Sequence, residues 1–163
     1  MAGFTLREAT GSDARFLGDM LVEASEWMPG RTRSRIDVLS DPDTAKYIDR
    51  WQRPGDAGTV AVDSAGSPIG ACWFRLLPVH NPGRGFVASG VPELTLGVVP
   101  VWRAQGVGRA LICAVLEQAR SAGYSRLSLN VGRANYAQRL YLSEGFLPVV
   151  RGPDSDTMVR ILR

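Results

Sequence analysis

Between Glu93 and Ala110 the chain reads Glu-Leu-Thr-Leu-Gly-Val-Val-Pro-Val-Trp-Arg-Ala-Gln-Gly-Val-Gly-Arg-Ala. The apolar run to Val99 has strand character and stops at Pro100. Gly106 and Gly108 follow, and apolar residues at helical spacing then begin (Val107, Leu111, Ala114, Val115, Ala119), ending at Gly123. A strand that enters a helix through a glycine-bearing loop confines the fold to an α/β arrangement, because the helix must lie back across the sheet holding the strand. The same turn presents a helix N-terminus with unpaired amides and the positive end of the dipole. Glycines there let a bulky anion approach, so the site suits a phosphate or pyrophosphate. An ordinary βα turn with small residues makes the same pattern, so the loop alone leaves both readings open.

The remaining segments build one mixed α/β domain over residues 1–163. Phe4–Glu8 reads as a strand, and Thr10 or Ser12 caps a helix with its stripe at Phe16, Leu17, Met20, Leu21, Ala24 and Trp27. Asp41-Pro42 starts a second helix, with Ala45, Ile48 and Trp51 inward, that runs to Pro54-Gly55. Thr59–Val62 and Ile69–Leu77 form a hairpin across Asp63–Ser67, followed by a long Pro/Gly loop over 78–92. Gly97 inside the next strand suggests a bulge. Ser125–Val131 is a strand. Asn135 caps a further helix with Gln138 in capping-box position, and Phe146–Val150 pairs with Thr157–Leu162 across Gly152-Pro153-Asp154.

Composition removes several function classes. The chain has 163 residues, a length for one domain. It holds two cysteines and one histidine, too few for a structural zinc site, and no metal is expected. Cys72 and Cys113 sit among apolar residues and read as buried thiols. No apolar run spans a bilayer and the first residues lack a signal-peptide pattern, so a cytoplasmic protein without membrane contact is expected. Lys46 is the single lysine among 19 basic residues, which reads as codon bias of a GC-rich, bacterial genome. It also excludes a P-loop, whose lysine would have to follow the second glycine. Residues 1–99 carry 10 basic and 12 acidic groups, residues 100–163 carry 9 and 4. The basic half is the half with the glycine loop, which suits a polyphosphate ligand. The arginines are scattered and no aromatics are interleaved with them, so no nucleic-acid partner is expected. His80 lies in a Pro/Gly loop, where a histidine usually faces solvent, although a base is the other reading.

A dinucleotide fingerprint needs a small residue three after Gly108, where Leu111 stands, and an acid near the end of the next strand, where Asn130 and Val131 stand. That reading fails on both counts. Arg103-x-x-Gly106-x-Gly108 after Val98-Val99-Pro100 instead resembles the coenzyme A loop of the GNAT acetyltransferase superfamily. So does the downstream stretch from Asn135-Tyr136-Ala137-Gln138 through Tyr141 to Gly145-Phe146. The resemblance covers residues 93–150. It implies a twisted mixed sheet of about seven strands with about four helices, splayed open between the strand at Glu93–Val99 and that at Ser125–Val131. Acetyl-CoA is the implied co-substrate. Its pantetheine arm would pair with the backbone at Leu96, Val98 and Val99, the first edge opened by the bulge at Gly97. Its pyrophosphate would rest on amides of Arg103, Ala104, Gln105, Gly106, Val107, Gly108 and Arg109. Asn135 and Gln138 would hold the downstream helix near the coenzyme.

The implied reaction is acetyl transfer to a primary amine, on a small molecule or a protein, by direct attack. Tyr141 matches the position of the general acid toward the departing thiolate, and as a bare residue it also reads as a core aromatic. Asn130 stands where some branches carry a glutamate base. Glu93 fits the alternative position, a base acting through water, and also reads as a solvated strand-end carboxylate. The amide near Leu96 or Val98 would polarise the thioester carbonyl. Trp27, Trp73 and Phe86 are candidates to line the acceptor site, and each also reads as core. A non-catalytic acyl-CoA sensor on the same fold is the competing function. A homodimer through an edge strand or the hairpin is an arrangement that the resemblance allows.

Overall fold

A computed structural model describes residues 3–25 and 34–162. Seven strands form a single sheet: β1 Phe4–Glu8, β2 Ala57–Asp63, β3 Pro68–Arg75, β4 Glu93–Val98, β5 Arg126–Gly132, β6 Leu147–Arg151 and β7 Ser155–Ile161. Their spatial order is β1-β2-β3-β4-β5-β7-β6. Every neighbouring pair is antiparallel except β4 and β5, which are parallel. Asp63 makes the β2–β3 turn: its Oδ1 accepts from the amides of Ala65 and Ser67, both at 2.9 Å.

Five α-helices lie among the described residues: α1 Ala14–Ser25, α2 Arg35–Ser40, α3 Pro42–Ala45, α4 Val107–Ser121 and α5 Ala137–Ser143. The count exceeds the expected four because α2 forms ahead of Asp41, where no helix is expected, while the helix expected from Asp41 shortens to α3. Ser34 opens α2, accepting from the Asp37 amide at 3.1 Å, and Asp41 caps α3, accepting from the Asp43 amide at 2.9 Å. The helix expected to reach Pro54 ends at Ala45. Beyond it the Lys46 and Asp49 carbonyls accept from Arg75 Nη1 at 2.9 and 2.7 Å. Arg75 is itself buried and paired with Asp56 at 2.6 Å. A buried guanidinium thus takes carbonyls that a continuing helix would have used, and fixes the 46–56 segment to the end of β3.

The sheet is covered on both faces. Leu111, Ile112 and Val115 of α4 pack with Cys72 and Phe74 of β3 on one side. Leu17, Met20 and Leu21 of α1, with Val38 of α2, pack with Ala71 and Trp73 on the other. β3 is therefore apolar along both faces, as burial between two helical layers requires. α4 turns Cys113 outward, two positions past the buried Leu111, so the thiol expected in the core is exposed. At the far edge, β6 leaves Leu147, Val149 and Val150 exposed. No helix among the described residues is long and apolar enough to cross a membrane.

Candidate functional site

The feature that creates the site is a fork in the sheet. β4 and β5 pair only at Glu93 and Ser128, with the Ser128 amide donating to the Pro92 carbonyl at 3.0 Å. Beyond that point the strands part. The Val99 amide donates to Ile69 at 2.9 Å, so by the alternation of an antiparallel ladder the amides of Leu96 and Val98, beyond the last bridge, face away from β3 and into the fork. A cavity of about 630 Å³ fills it.

The bulge expected at Gly97 is absent: β3 and β4 pair without interruption from Gly70–Val98 to Arg75–Glu93. Glycine is needed there for another reason. A Cβ at position 97 would lie 2.4 Å from the Met20 carbonyl oxygen, so the missing side chain is what lets α1 lie directly on β4.

One end of the cavity is the start of α4. Gly106 precedes the helix with φ 86°, a left-handed conformation, and nothing stands within 4 Å of where its Cβ would be. The Arg103 amide donates to Pro100 at 3.2 Å and the Ala110 amide to Gly106 at 3.1 Å. Between them, no acceptor among the described residues meets the amides of Ala104 through Arg109. Six unpartnered donors at a helix start fit a pyrophosphate by their chemistry. Arg103 pairs with Glu23 at 3.0 Å and lies 5.9 Å from the Tyr136 ring centroid, and Arg109 pairs with Glu144.

The other end holds Glu93. Of its two readings, the solvated strand-end carboxylate is ruled out: the side chain is 3% exposed, because the 78–92 loop closes over it. Gly83 sits against the carboxylate so closely that a Cβ would lie 2.3 Å from Oε2. Oε2 accepts from the Tyr47 hydroxyl at 3.0 Å and from the Gly85 amide at 3.2 Å. Oε1 is buried and has no hydrogen-bond partner among the described residues. Burial pushes the Glu93 carboxyl above its usual range, against the opposing pull of Tyr47, Gly85, Lys46 and the Gly83 backbone. Tyr47 is raised too, first by burial and then by the negative charge of Glu93. Its hydroxyl also accepts from the Arg84 amide at 2.8 Å. Lys46 Nζ holds the Pro82 carbonyl at 2.6 Å, and Thr157 Oγ1 the Arg84 carbonyl at 3.2 Å.

Tyr141 reaches the cavity from α5, buried, with its ring edge-on to Phe146 at 5.7 Å. Burial, then the neighbouring Cys72 and Tyr136, raise its hydroxyl well above the usual phenol range. Asn135 does not cap α5 as a box with Gln138. Its Oδ1 accepts from the Ala137 amide at 2.9 Å, a local turn, and Tyr136 stands between it and the helix. Gln138 turns to the buried Asp156 instead, at 2.9 Å.

The cavity therefore brings together Glu93, Leu96, Val98, Arg103, Ala104, Gly106, Gly108, Arg109, Asn135 and Tyr141 of the residues expected at a site. Val99, Gln105, Val107 and Gln138 are not among its lining residues. Trp73 is buried in the α1-side cluster with its indole N–H on the Tyr47 carbonyl at 2.9 Å, and Phe86 is half-buried in the loop, so neither lines the cavity. Trp27 lies outside the described residues. His80 is exposed in its loop. Asn130 lines the cavity and donates to Thr157 Oγ1 at 3.2 Å. Sequence reasoning missed Tyr47 and Arg84. No spacing links either to Glu93, and the only hint was the glycine pair flanking Arg84.

Comparison with known proteins fits this geometry. A family model described as Acetyltransferase (GNAT) family matches residues 22–146. Over 97 residues the chain is 37% identical to mycothiol acetyltransferase of Thermobispora bispora, which covers 59% of this chain. The chain spans only 31% of that relative's length. Among solved structures it resembles a PaiA N-acetyltransferase from Thermoplasma acidophilum in complex with coenzyme A, at 16% identity and TM-score 0.70, covering 98% of this chain and 99% of that one. It also resembles a phosphinothricin acetyltransferase from Sinorhizobium meliloti in complex with AcCoA, at 19% identity and TM-score 0.65, covering 98% and 88%. With the forked sheet, the glycine loop and a family match over most of its length, the chain belongs to the acetyltransferase (GNAT) family.

Proposed function

We propose that the protein transfers the acetyl group of acetyl-CoA to a primary amine held at the Glu93 end of the cavity. The observation that carries the reading is the single cavity with two unlike ends: six unpartnered amides at the start of α4, and a buried carboxylate with one unpartnered oxygen at the fork. Acetyl-CoA supplies an activated thioester. The open edge of β4 offers the Leu96 and Val98 amides to a pantetheine arm, as an added strand would use them. One of these, at Leu96 or Val98, is placed to hydrogen-bond the thioester carbonyl and stabilise the charge that develops on its oxygen.

The amine must lose a proton to attack. Tyr47 and Gly85 hold Glu93 Oε2, so Oε1 is the oxygen free to take that proton, directly or through a water. A carboxyl raised by burial is a better base than an ordinary one once ionised. Tyr141, kept protonated by its own burial, donates its hydroxyl proton toward the departing sulfur. The mycothiol acetyltransferase it resembles is consistent with an amine on a small molecule as acceptor.

The test is thiol release from acetyl-CoA against a panel of amines. Amine-dependent release is expected, with acetyl-CoA raising the melting temperature and NADPH leaving it unchanged. Tight acetyl-CoA binding with no release for any amine would favour the acyl-CoA sensor instead.

A further inference from the structure

Three arginines line the cavity: Arg84, Arg103 and Arg109. Two of them are paired with carboxylates, Arg103 with Glu23 and Arg109 with Glu144. Arg84 has no carboxylate partner among the described residues, and it lies at the opposite end from the other two, beside Glu93 and Tyr47. The acidic groups near it are already engaged. Glu93 is held by Tyr47 and Gly85, and Asp43, which also lines this end, lies 3.7 Å from Lys46 Nζ.

The backbone under Arg84 is fixed from both sides. Its amide donates to the Tyr47 hydroxyl at 2.8 Å and its carbonyl accepts from Thr157 Oγ1 at 3.2 Å. Glycines flank it at 83 and 85, and both are packed too tightly for a side chain, against Glu93 and against the Leu129–Asn130 backbone. A loop of small residues is thus pinned at three places with one long cationic side chain left at the cavity wall. Its positive charge is close enough to the Tyr47 hydroxyl to favour that group's ionisation.

Taking the amine-transfer reading as its basis, we propose that Arg84 binds an anionic group of the acceptor, and that the acceptor is an amine carrying a carboxylate a few bonds from its nitrogen. The guanidinium presents paired N–H donors that match the two oxygens of a carboxylate. Arg84, Tyr47 and Glu93 line the same cavity, so an amino acid held by its carboxylate on Arg84 has its amine in the cavity that holds the proton acceptor. An amine without an anion would leave the cation unpaired on binding, so the site discriminates by charge as well as by fit.

The experiment compares L-amino acids with their α-carboxamides on the wild type and on Arg84→Gln and Arg84→Lys. Two readouts are taken: binding to the protein saturated with coenzyme A, by calorimetry, and acetyl-CoA thiol release. The wild type should prefer the carboxylate over the carboxamide by about tenfold in both, carried by Kd and KM rather than kcat. Arg84→Gln should bring that ratio close to one, and Arg84→Lys should keep part of it. Turnover with no carboxylate preference, or a preference that survives Arg84→Gln, overturns the inference and leaves the amine-transfer reading intact. Arg84-dependent carboxylate binding with no turnover of any amine upholds Arg84 as the carboxylate site and overturns both amine transfer and the acceptor role of the bound amino acid. Neither binding nor turnover overturns both.

Discussion

At the α4 end of the cavity the binding groups are backbone amides, supplied by one unbroken stretch from Ala104 to Arg109. At the Glu93 end they are side chains gathered from separate segments: Tyr47 beyond α3, Arg84 in the long loop and Glu93 on β4. Backbone donors demand little of residue type except room and the right φ, which Gly106 supplies at 86°. They suit a ligand part that is always the same. Side chains can be exchanged one at a time, and they suit the part that differs between acceptors. The two ends should therefore respond differently to substitution, the first in coenzyme affinity and the second in turnover and selectivity.

The largest expected effect is at the second end. Glu93→Gln should lower kcat by about a hundredfold to a thousandfold with acetyl-CoA affinity unchanged, measured by thiol release and calorimetry on one preparation. A matching loss of affinity would break the division between the ends. Tyr141→Phe should lower kcat by about tenfold to a hundredfold, again with affinity retained; unchanged turnover would return Tyr141 to a packing role beside Phe146.

A substitution at the contact between α1 and β4 should act on stability first. In Gly97→Ala the new Cβ meets the Met20 backbone oxygen, which cannot turn aside as a side chain would. It should cost about 1–3 kcal/mol, read as a lowered midpoint in urea. At the first end, Gly106→Val puts a β-branched residue at positive φ and should weaken acetyl-CoA binding several-fold with little change in kcat at saturation. The smallest effect sharpens the picture of Glu93. Tyr47→Phe removes a hydrogen bond that favours the ionised carboxylate, so the Glu93 carboxyl should rise further and the acid limb of kcat should move to higher pH. A shift to lower pH would contradict the assigned contact.

The same contrast explains what could be read from residues alone. The α4 end is contiguous, so its glycines, its strand and its helix start are visible in one line of sequence. The fork between β4 and β5 followed from that line by resemblance. The Glu93 end depends on which loops fold over the strand. Glu93 itself was visible as an acid at a strand start, but its burial was not, because it is imposed by Gly83 and Gly85 closing from the 78–92 loop. Tyr47 was invisible for a related reason. The pattern of Ala45, Ile48 and Trp51 implied a continuous helix, whereas the buried Arg75 ends it and sets the Tyr47 segment in place. Ser34 and Asp37 form the box that starts α2, a signal legible in the sequence as Ser-x-x-Asp. Gly97 was singled out correctly as a constrained position but for the wrong cause, since helix contact and bulge formation both call for a missing side chain.

The most direct test of the account is the pH dependence of kcat for the wild type and Glu93→Gln, at saturating acetyl-CoA and amine. Loss of the Glu93 proton is required before it can serve as base, and burial raises the pH at which that happens. The wild type should show an acid limb centred above the usual carboxylate range, and Glu93→Gln should be slow at every pH without that limb. The same limb at a similar rate in both proteins would contradict the assignment of Glu93 as the group that takes the amine's proton.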